Sequence, residues 1–132
     1  RALRMILDTA FILDLMDNLP EAHEKLDELE ANGAVLKLST MTLTELYIGI
    51  EAYTGEEEAR EIRRILHGVP RVDMDPKIAE EAGRMIGRLD PSKYKRKKGD
   101  AVIAATAEVE GEAVVTRNVD DFERHGVPVE SY

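Results

Sequence analysis

Four acidic residues stand where short apolar runs of this chain end or a long one begins. Asp8 directly follows one run, Glu45 comes soon after a second, and Asp100 opens a long apolar stretch. Asp121 follows a later run, and Asn118 lies three residues before it. Carboxylate and amide oxygens are the ligands that hard divalent cations prefer. The pattern therefore predicts a carboxylate cluster that holds a divalent metal.

Hydrolysis of phosphodiesters is the chemistry that such a cluster supports best. A bound metal lowers the pKa of the attacking water and neutralises charge on the phosphate. The chain has no Cys, and its His residues have no partners at metal-ligand spacing, so Mg²⁺ or Mn²⁺ is expected rather than Zn²⁺. Thr9 and Thr116 stand close to proposed ligands and are expected to orient carboxylates or bound water.

A structural explanation competes with the metal hypothesis, because acids near helix starts cap backbone N–H groups and complement the helix dipole. Thr42-Leu-Thr-Glu45 reads as a capping box in the first turn of a helix, and Asn118-Val-Asp-Asp121 resembles one. Asp8 and Asp100 each suit an N-cap position. Burial favours the metal, because ionised carboxylates gathered out of water cost several kcal/mol each unless a cation compensates them.

The elements that must position these acids alternate between strands and helices. Apolar stripes at helical spacing cover residues 19–29, 62–66 and 78–89, and residues 101–109 are predicted to form a buried central helix that ends near Gly111. The alternation predicts an α/β fold in one domain spanning residues 1–132, with a mainly parallel sheet of four to five strands flanked by helices. The predicted strands cover residues 4–7, 35–38, 69–72, 113–116 and 127–129.

The net charge of the chain limits the kinds of partner that it can bind over a wide surface. Its 27 acidic and 18 basic residues give a formal net charge of -9, which argues against a wide basic footprint for duplex nucleic acid. Its apolar runs are too short to span a membrane, and the absence of Cys makes the cytoplasm the default location. A local exception is a basic cluster that forms either a solvated loop or an RNA contact: Lys93, Lys95, Arg96, Lys97 and Lys98.

Four sequence fragments together resemble the PIN-domain ribonucleases, and within them the compact VapC-type toxins of type II toxin–antitoxin pairs. The fragments occur in the same order and at similar separations as in that family. They are Ile6-Leu-Asp-Thr9, Thr42-Leu-Thr-Glu-Leu46, Gly99-Asp-Ala-Val-Ile-Ala104 and Val115-Thr-Arg-Asn-Val-Asp-Asp-Phe122.

The resemblance implies a PIN-like three-layer sandwich and an endoribonuclease that depends on Mg²⁺ or Mn²⁺. Asp8, Glu45 and Asp100 match the most regular metal-site acids of the family, while Asp121 and Asn118 are alternatives for a more variable fourth ligand. It also implies an RNA substrate, a VapB-like antitoxin that binds beside the active site, and a homodimer. Association with a membrane is not expected.

Two other functions compete with the nuclease hypothesis. A phosphoacceptor receiver domain has a similar size and also gathers acids around Mg²⁺, with Asp73 or Asp75 as its candidate phosphoacceptor. It would need an acidic pair after the first strand, where Asp8 stands alone. The other candidate is a non-catalytic binding subunit whose acids only cap helices. In that case, exchanging Asp8 or Asp100 for Asn would leave every activity unchanged, because Asn caps nearly as well.

Overall fold

The computed structural model describes residues 3–132, in which a parallel sheet lies between two layers of helices. Sheet order is β3-β2-β1-β4-β5, and every neighbouring pair is parallel. In chain order the elements are β1 (Arg4–Leu7), α1 (Thr9–Met16), α2 (Pro20–Ala31), β2 (Val35–Ser39), α3 (Thr40–Tyr53), α4 (Glu56–His67), β3 (Arg71–Val72), α5 (Pro76–Arg88), α6 (Lys98–Glu110), β4 (Ala113–Val115), α7 (Val119–Glu123) and β5 (Val129–Glu130).

The two faces of the sheet bury separate apolar cores. Successive side chains of a strand point to opposite faces, and β1 accordingly directs Ile6 toward one core and Met5 and Leu7 toward the other. Helices α5, α6 and α7 cover the first face, whereas α1, α2, α3 and α4 contribute to the core on the second. The predicted α/β sandwich with a parallel central sheet is therefore confirmed.

The central helix α6 is as buried as its sequence predicts. Every residue from 101 to 107 is buried, and most of these side chains are alanines that let the helix pack closely on the sheet and on α5. The helix ends at Gly111, whose φ of 70° is in the left-handed region that favours glycine. Its last turn, residues 108–110, is exposed, because it projects beyond the core.

The boundaries of both edge strands differ from the prediction. Residues 69–72 and 127–129 were expected to be strands, whereas β3 begins at Arg71 and β5 covers Val129–Glu130. Proline has no N–H to donate to a sheet, and Pro70 and Pro128 precede the two strands. Each proline still contributes its carbonyl, which accepts from Leu38 at 2.9 Å and from Val114 at 3.0 Å, respectively.

The order of the strands places a crevice between β1 and β4. From β1 the chain moves outward to β2 and β3, and it later returns to the opposite side of β1 to form β4 and β5. Ligands of open α/β sheets bind at such a reversal point, outside the carboxyl ends of the strands. The Asp8 N–H donates to the Val115 carbonyl at 3.0 Å, so the ends of both strands meet there.

The same order argues against a receiver domain. A receiver sheet has the order 2-1-3-4-5, in which the third strand lies next to the first. Here β3 lies at the edge, beyond β2, so Asp73 follows a strand that is not a neighbour of β1. No helix in residues 3–132 combines the length and apolar character that crossing a bilayer requires.

Candidate metal centre

Asp8 lies at the crevice between β1 and β4 and is almost completely buried. It occupies the N-cap position of α1, but its side chain makes no capping hydrogen bond. Asp8 Oδ2 instead accepts a hydrogen bond from Thr116 Oγ1 at 2.7 Å. The same Thr116 oxygen accepts from the Asn118 N–H at 2.9 Å, which fixes the chain just after β4. Thr116 therefore links Asp8 to the chain that follows β4.

Burial dominates the electrostatics of Asp8. It raises the pKa of this carboxyl from 3.8 to about 6, although the hydrogen bond from Thr116 opposes the shift. The negative charge of Glu45 adds to the increase in pKa. A carboxylate in this position is thus poorly stabilised by its own protein.

Glu45 approaches the same place from α3. Its Oε1 accepts a hydrogen bond from Thr9 Oγ1 at 2.6 Å, and the hydroxyl oxygens of Thr9 and Thr42 are 3.1 Å apart. A Cβ atom added to Gly99 would lie 2.8 Å from Glu45 Oε2. The carboxylate therefore rests against the first turn of α6, held by Thr9 on one side and by the bare backbone of Gly99 on the other.

The placement of Glu45 in the first turn of its helix was wrong. Helix α3 starts at Thr40, and Ser39 is its N-cap, with the Ser39 side chain accepting from the Met41 N–H at 3.1 Å. Glu45 consequently lies in the second turn, and residues 42–45 do not form a capping box. Several hydroxyl residues precede Glu45, so the sequence alone does not show which of them caps the helix.

Asp100 completes a group of three acids at this edge of the sheet. It lies in the first turn of α6, two residues after the helix begins, and it is half-buried. Burial, followed by the charges of Asp8 and Asp121, raises the pKa of Asp100 from 3.8 to about 6, and Lys97 opposes the shift. Asp8, Glu45 and Asp100 are therefore close enough for their charges to repel one another.

The fourth position is engaged in ion pairs. Asp121 Oδ2 lies 3.1 Å from Lys97 Nζ, and Asp121 Oδ1 lies 3.2 Å from an Arg124 guanidinium nitrogen. Asn118 is exposed at the N-cap position of α7, where its side chain makes no capping hydrogen bond. The structure therefore brings Asp121 near Asp100 but leaves the choice between Asp121 and Asn118 open.

Helix capping does not account for the four acids. The N-cap residues of α3, α6 and α7 are Ser39, Lys97 and Asn118, so Glu45, Asp100 and Asp121 are not the caps of their helices. Asp8 is the N-cap of α1; its side chain makes no well-aligned capping hydrogen bond, although the N–H groups of Thr9 and Ala10 lower its pKa. Asp75 does cap α5, because its Oδ1 accepts from the Ile78 N–H at 2.9 Å.

The chemistry of the donors fits a hard divalent cation. Carboxylate oxygens from three elements converge, and the chain has no Cys. The raised pKa values of Asp8 and Asp100 come first from burial and then from neighbouring carboxylates, and a cation would compensate both effects. As the side chains stand, however, residues 3–132 contain no group of three acidic or histidine side chains arranged to hold a metal. A cation of the Mg²⁺ type keeps several waters, so it would need only one or two of these carboxylates as direct ligands.

The basic cluster lies in the loop between α5 and α6 and in the first residue of α6. Lys97 pairs with Asp121, and Arg96 donates to the Leu89 carbonyl at 3.4 Å. Tyr94 has Lys93 Nζ at 5.3 Å and the Arg124 guanidinium carbon at 4.7 Å from its ring centre. These contacts hold the loop beside the carboxylates.

Gly99, Arg124 and Thr42 contribute to the site without having been singled out individually from the sequence. Gly99 and Thr42 lie within the fragments that carry the family resemblance, so their positions were a usable signal. Arg124 carries no such signal, because its contacts with Asp121 and Tyr94 depend on the tertiary structure.

Comparison with known proteins places the chain in a family. The family model described as PIN domain matches residues 5–128, and the chain therefore belongs to the PIN-domain family. Ribonuclease VapC2 from Haemophilus influenzae is 29% identical over 123 residues, which cover 92% of each chain.

Solved structures agree with this assignment. VapBC-1 from nontypeable Haemophilus influenzae has a TM-score of 0.81 at 25% identity, and the match covers 98% of both chains. VapBC2 from Rickettsia felis, bound to a DNA fragment from its promoter, has a TM-score of 0.84 at 22% identity and shows the shared fold. That match covers 98% of this chain and 99% of the other.

Proposed function

We propose that the protein is a divalent-metal-dependent endoribonuclease and the toxin of a toxin–antitoxin pair. The observation that carries the proposal is the convergence of Asp8, Glu45 and Asp100 at the reversal point of the sheet, where burial and mutual repulsion raise the pKa values of Asp8 and Asp100. The relative named Ribonuclease VapC2 supports the activity, and the neighbouring VapBC structures support the toxin role. One domain spanning residues 1–132 carries this function.

In this proposal, Asp8, Glu45 and Asp100 hold Mg²⁺ or Mn²⁺, and either Asp121 or Asn118 is the fourth ligand. When bound, the metal supplies an activated water and neutralises charge on the phosphate. Thr116 and Thr9 hold the carboxylates of Asp8 and Glu45 in fixed orientations through their hydroxyl groups.

The fourth ligand depends on ion pairs that already exist. Asp121 must leave Lys97 or Arg124 to bind a metal, whereas Asn118 is exposed and has no such pair to break. If Asp121 leaves Lys97, the lysine becomes available to a substrate phosphate. The identity of the fourth ligand is thus coupled to the basic cluster.

The partners follow from the same assignment. The substrate is RNA, and a VapB-like antitoxin is the expected protein partner, because the similar solved structures are VapBC complexes. A homodimeric state is expected from the family resemblance alone. The cytoplasm is the expected location.

Cleavage of a mixed RNA pool with Mg²⁺, with Mn²⁺ and with chelator tests the activity. Asp8→Asn should lower the cleavage rate about a thousandfold, which corresponds to several kcal/mol of lost metal catalysis. Asp75→Asn is the matched control, because Asp75 caps α5 and Asn caps nearly as well. It should cleave like the wild type.

Two outcomes would contradict the proposal. Equal cleavage by wild type and Asp8→Asn would favour a non-catalytic subunit contaminated by another nuclease. A mass increase after incubation with a small phosphodonor, lost in Asp75→Asn or Asp73→Asn, would favour the receiver function instead.

The basic cluster has a separate test. In this proposal it contacts RNA phosphates, so replacing its five residues with Gln should weaken RNA binding and flatten its salt dependence. Each lost phosphate contact should reduce the salt slope by about 0.7 for a single strand. Unchanged binding would show that the loop is only solvated. The residues replaced are Lys93, Lys95, Arg96, Lys97 and Lys98.

A further inference from the structure

A second polar group lies beside the carboxylates but belongs to none of the roles described above. Asp14 on α1 is buried, and its Oδ2 accepts a hydrogen bond from the Tyr132 hydroxyl at 2.6 Å. Arg117 Nη1 lies 3.3 Å from Asp14 Oδ1. Burial and the contact with Asp14 raise the pKa of Tyr132, so its hydroxyl remains a donor. Asp14 therefore has a partner at each oxygen.

Arg117 is fixed next to the metal centre by the residues on either side of it. Thr116 donates to Asp8, and the Asn118 N–H donates to Thr116. The backbone that carries Arg117 is thus tied to the end of β1. Arg117 is therefore flanked by Thr116, which contacts Asp8, and by Asn118, a candidate fourth ligand.

The guanidinium of Arg117 is only partly used by Asp14. Its side chain remains 53% exposed, and Asp14 is the one acidic side chain within ion-pair distance of it in residues 3–132. A guanidinium has five N–H donors in a planar fork, which suits phosphate oxygens. One edge of the fork faces a buried acid, and the remaining donors are free for a ligand.

The position of Arg117 complements that of the basic loop. Lys97 and Arg124 pair with Asp121 on the side of the sheet covered by α6 and α7, whereas Arg117 turns toward α1, which belongs to the opposite layer. Lys97 acts on Asp100, and Arg117 acts on Tyr132, which also feels Asp8, so each basic group lies near one of the carboxylates. A polyanion crossing the edge of the sheet would therefore meet a cation on each side of the metal centre.

We propose that Arg117 is a further phosphate-binding residue, which contacts the RNA backbone beside the cleaved phosphate, and that Asp14 is the residue that positions it. The inference rests on the proposed ribonuclease function and adds a subsite to it. The free protein carries a net charge of -9, so contacts of this kind are needed to hold a polyanion near the acids.

Binding of a fluorescein-labelled single-stranded RNA, followed by anisotropy in chelator from about 50 to about 200 mM salt, tests the proposal. Arg117→Gln should weaken binding about fivefold at the lower salt and reduce the salt slope by about 0.7. The matched control is Arg84→Gln, because Arg84 is also an exposed arginine, 61% accessible and 3.5 Å from Glu81 on α5. It should change neither quantity.

Two further variants separate phosphate binding from a structural role. Arg117→Lys keeps the charge but loses the fork, so it should weaken binding about twofold while retaining the wild-type salt slope. Asp14→Asn should also leave the slope unchanged, and combining it with Arg117→Gln should weaken binding no more than Arg117→Gln alone. Circular dichroism would confirm that each variant is folded.

The outcomes distinguish this proposal from the one on which it rests. Wild-type affinity and salt slope in folded Arg117→Gln would show that Arg117 only neutralises Asp14. If that variant does not fold, wild-type affinity in folded Arg117→Lys, which keeps the charge beside Asp14 but loses the fork, would show the same. Those results would overturn the subsite while leaving RNA cleavage by the wild type intact. A wild type that neither binds nor cleaves RNA would overturn both proposals.

Discussion

Acidic side chains are buried at both ends of the sheet, and the two ends differ in what neutralises them. At the amino ends of the strands, Lys37 lies 2.7 Å from Glu112 and 3.0 Å from Glu110. Burial alone would lower the pKa of Lys37, but its bonds with Glu112 and Glu110 raise it. At the carboxyl ends, Asp8 and Asp100 repel each other.

The difference separates an acid that the fold pairs with a lysine from the acids to which we assign a role in the proposed function. Glu112 is as inaccessible as Asp8, but the fold supplies it with a lysine. Asp8 is held by the Thr116 hydroxyl and by the backbone N–H groups of Thr9 and Ala10, and it has no ion pair within residues 3–132. The lysine that acts on Asp100 is already paired with Asp121. A bound cation would compensate the charges of Asp8 and Asp100, which we call the unmatched end of the sheet. The matched cluster, which consists of Lys37, Glu110 and Glu112, should contribute to stability alone.

Breaking the matched cluster should have the largest effect on stability. Lys37→Met leaves Glu112 buried without its partner, so the free energy of unfolding should fall by about 3 kcal/mol. RNA cleavage per folded molecule should stay unchanged. Denaturant unfolding measures the first quantity, and cleavage at a temperature well below the unfolding midpoint measures the second.

Two controls accompany this variant. The double variant with Lys37→Met and Glu112→Gln should recover part of the lost stability, because no buried charge is left unpaired. Lys77→Met removes an exposed lysine on α5 and should be nearly neutral. Loss of cleavage by folded Lys37→Met would mean that the two ends of the sheet are not independent.

Gly99→Ala should slow RNA cleavage at the unmatched end without lowering the stability of the protein. The new Cβ would lie 2.8 Å from Glu45 Oε2, so the carboxylate must move. A displacement of about 1 Å in a catalytic group can lower the rate about a hundredfold. Alanine favours a helix over glycine by about 1 kcal/mol, so thermal unfolding should shift upward or stay the same while cleavage falls.

Gly83→Ala provides the matched substitution, because nothing lies within 4 Å of a Cβ at Gly83 on α5. It should raise stability by a similar amount and leave cleavage unchanged. Normal cleavage by Gly99→Ala would show that Glu45 has no fixed role in the site.

The contribution of Asp8 to the pH dependence of stability should have the opposite sign to ordinary acid denaturation. The pKa of Asp8 rises from 3.8 to about 6 on folding. Its contribution to stability is therefore fully present below pH 3.8 and is lost as the pH rises through about 6. In chelator, Asp8→Asn should become more stable than the wild type by at most about 3 kcal/mol at neutral or higher pH.

Denaturant unfolding across this pH range measures the difference between the two proteins. The advantage of Asp8→Asn should disappear on acidification and should also disappear when Mg²⁺ stabilises the wild type. An advantage that does not change with pH would show that the charge of Asp8 does not strain the fold. Asp75→Asn should show no such pH dependence relative to the wild type.

The parts of the site that depend on local sequence could be predicted, and the parts that depend on distant contacts could not. Asp8 directly follows an apolar strand and Asp100 opens the alanine-rich helix, so strand and helix periodicity placed both acids at one edge of the sheet. The turn of α3 that carries Glu45 was missed, because Ser39 and Thr42 are equally suitable caps and only packing decides between them.

Contacts between residues far apart in the chain could not be predicted from local sequence patterns. Tyr132 and Asp14 are 118 residues apart in the chain, and neither stands in a recognisable motif with the other. The ion pairs of Asp121 were equally hidden, because they depend on how the loop before α6 folds over α7. The edge strands were misplaced by one or two residues, since each is paired on one side only and follows a proline.

Direct titration of the protein with Mn²⁺, followed by electron paramagnetic resonance of the free ion, tests the central claim without RNA. The account predicts that the wild type and Asp75→Asn bind Mn²⁺ equally and that Asp8→Asn and Asp100→Asn bind at least about tenfold more weakly. Equal Mn²⁺ binding by the wild type and Asp8→Asn, or no binding by either, would contradict it.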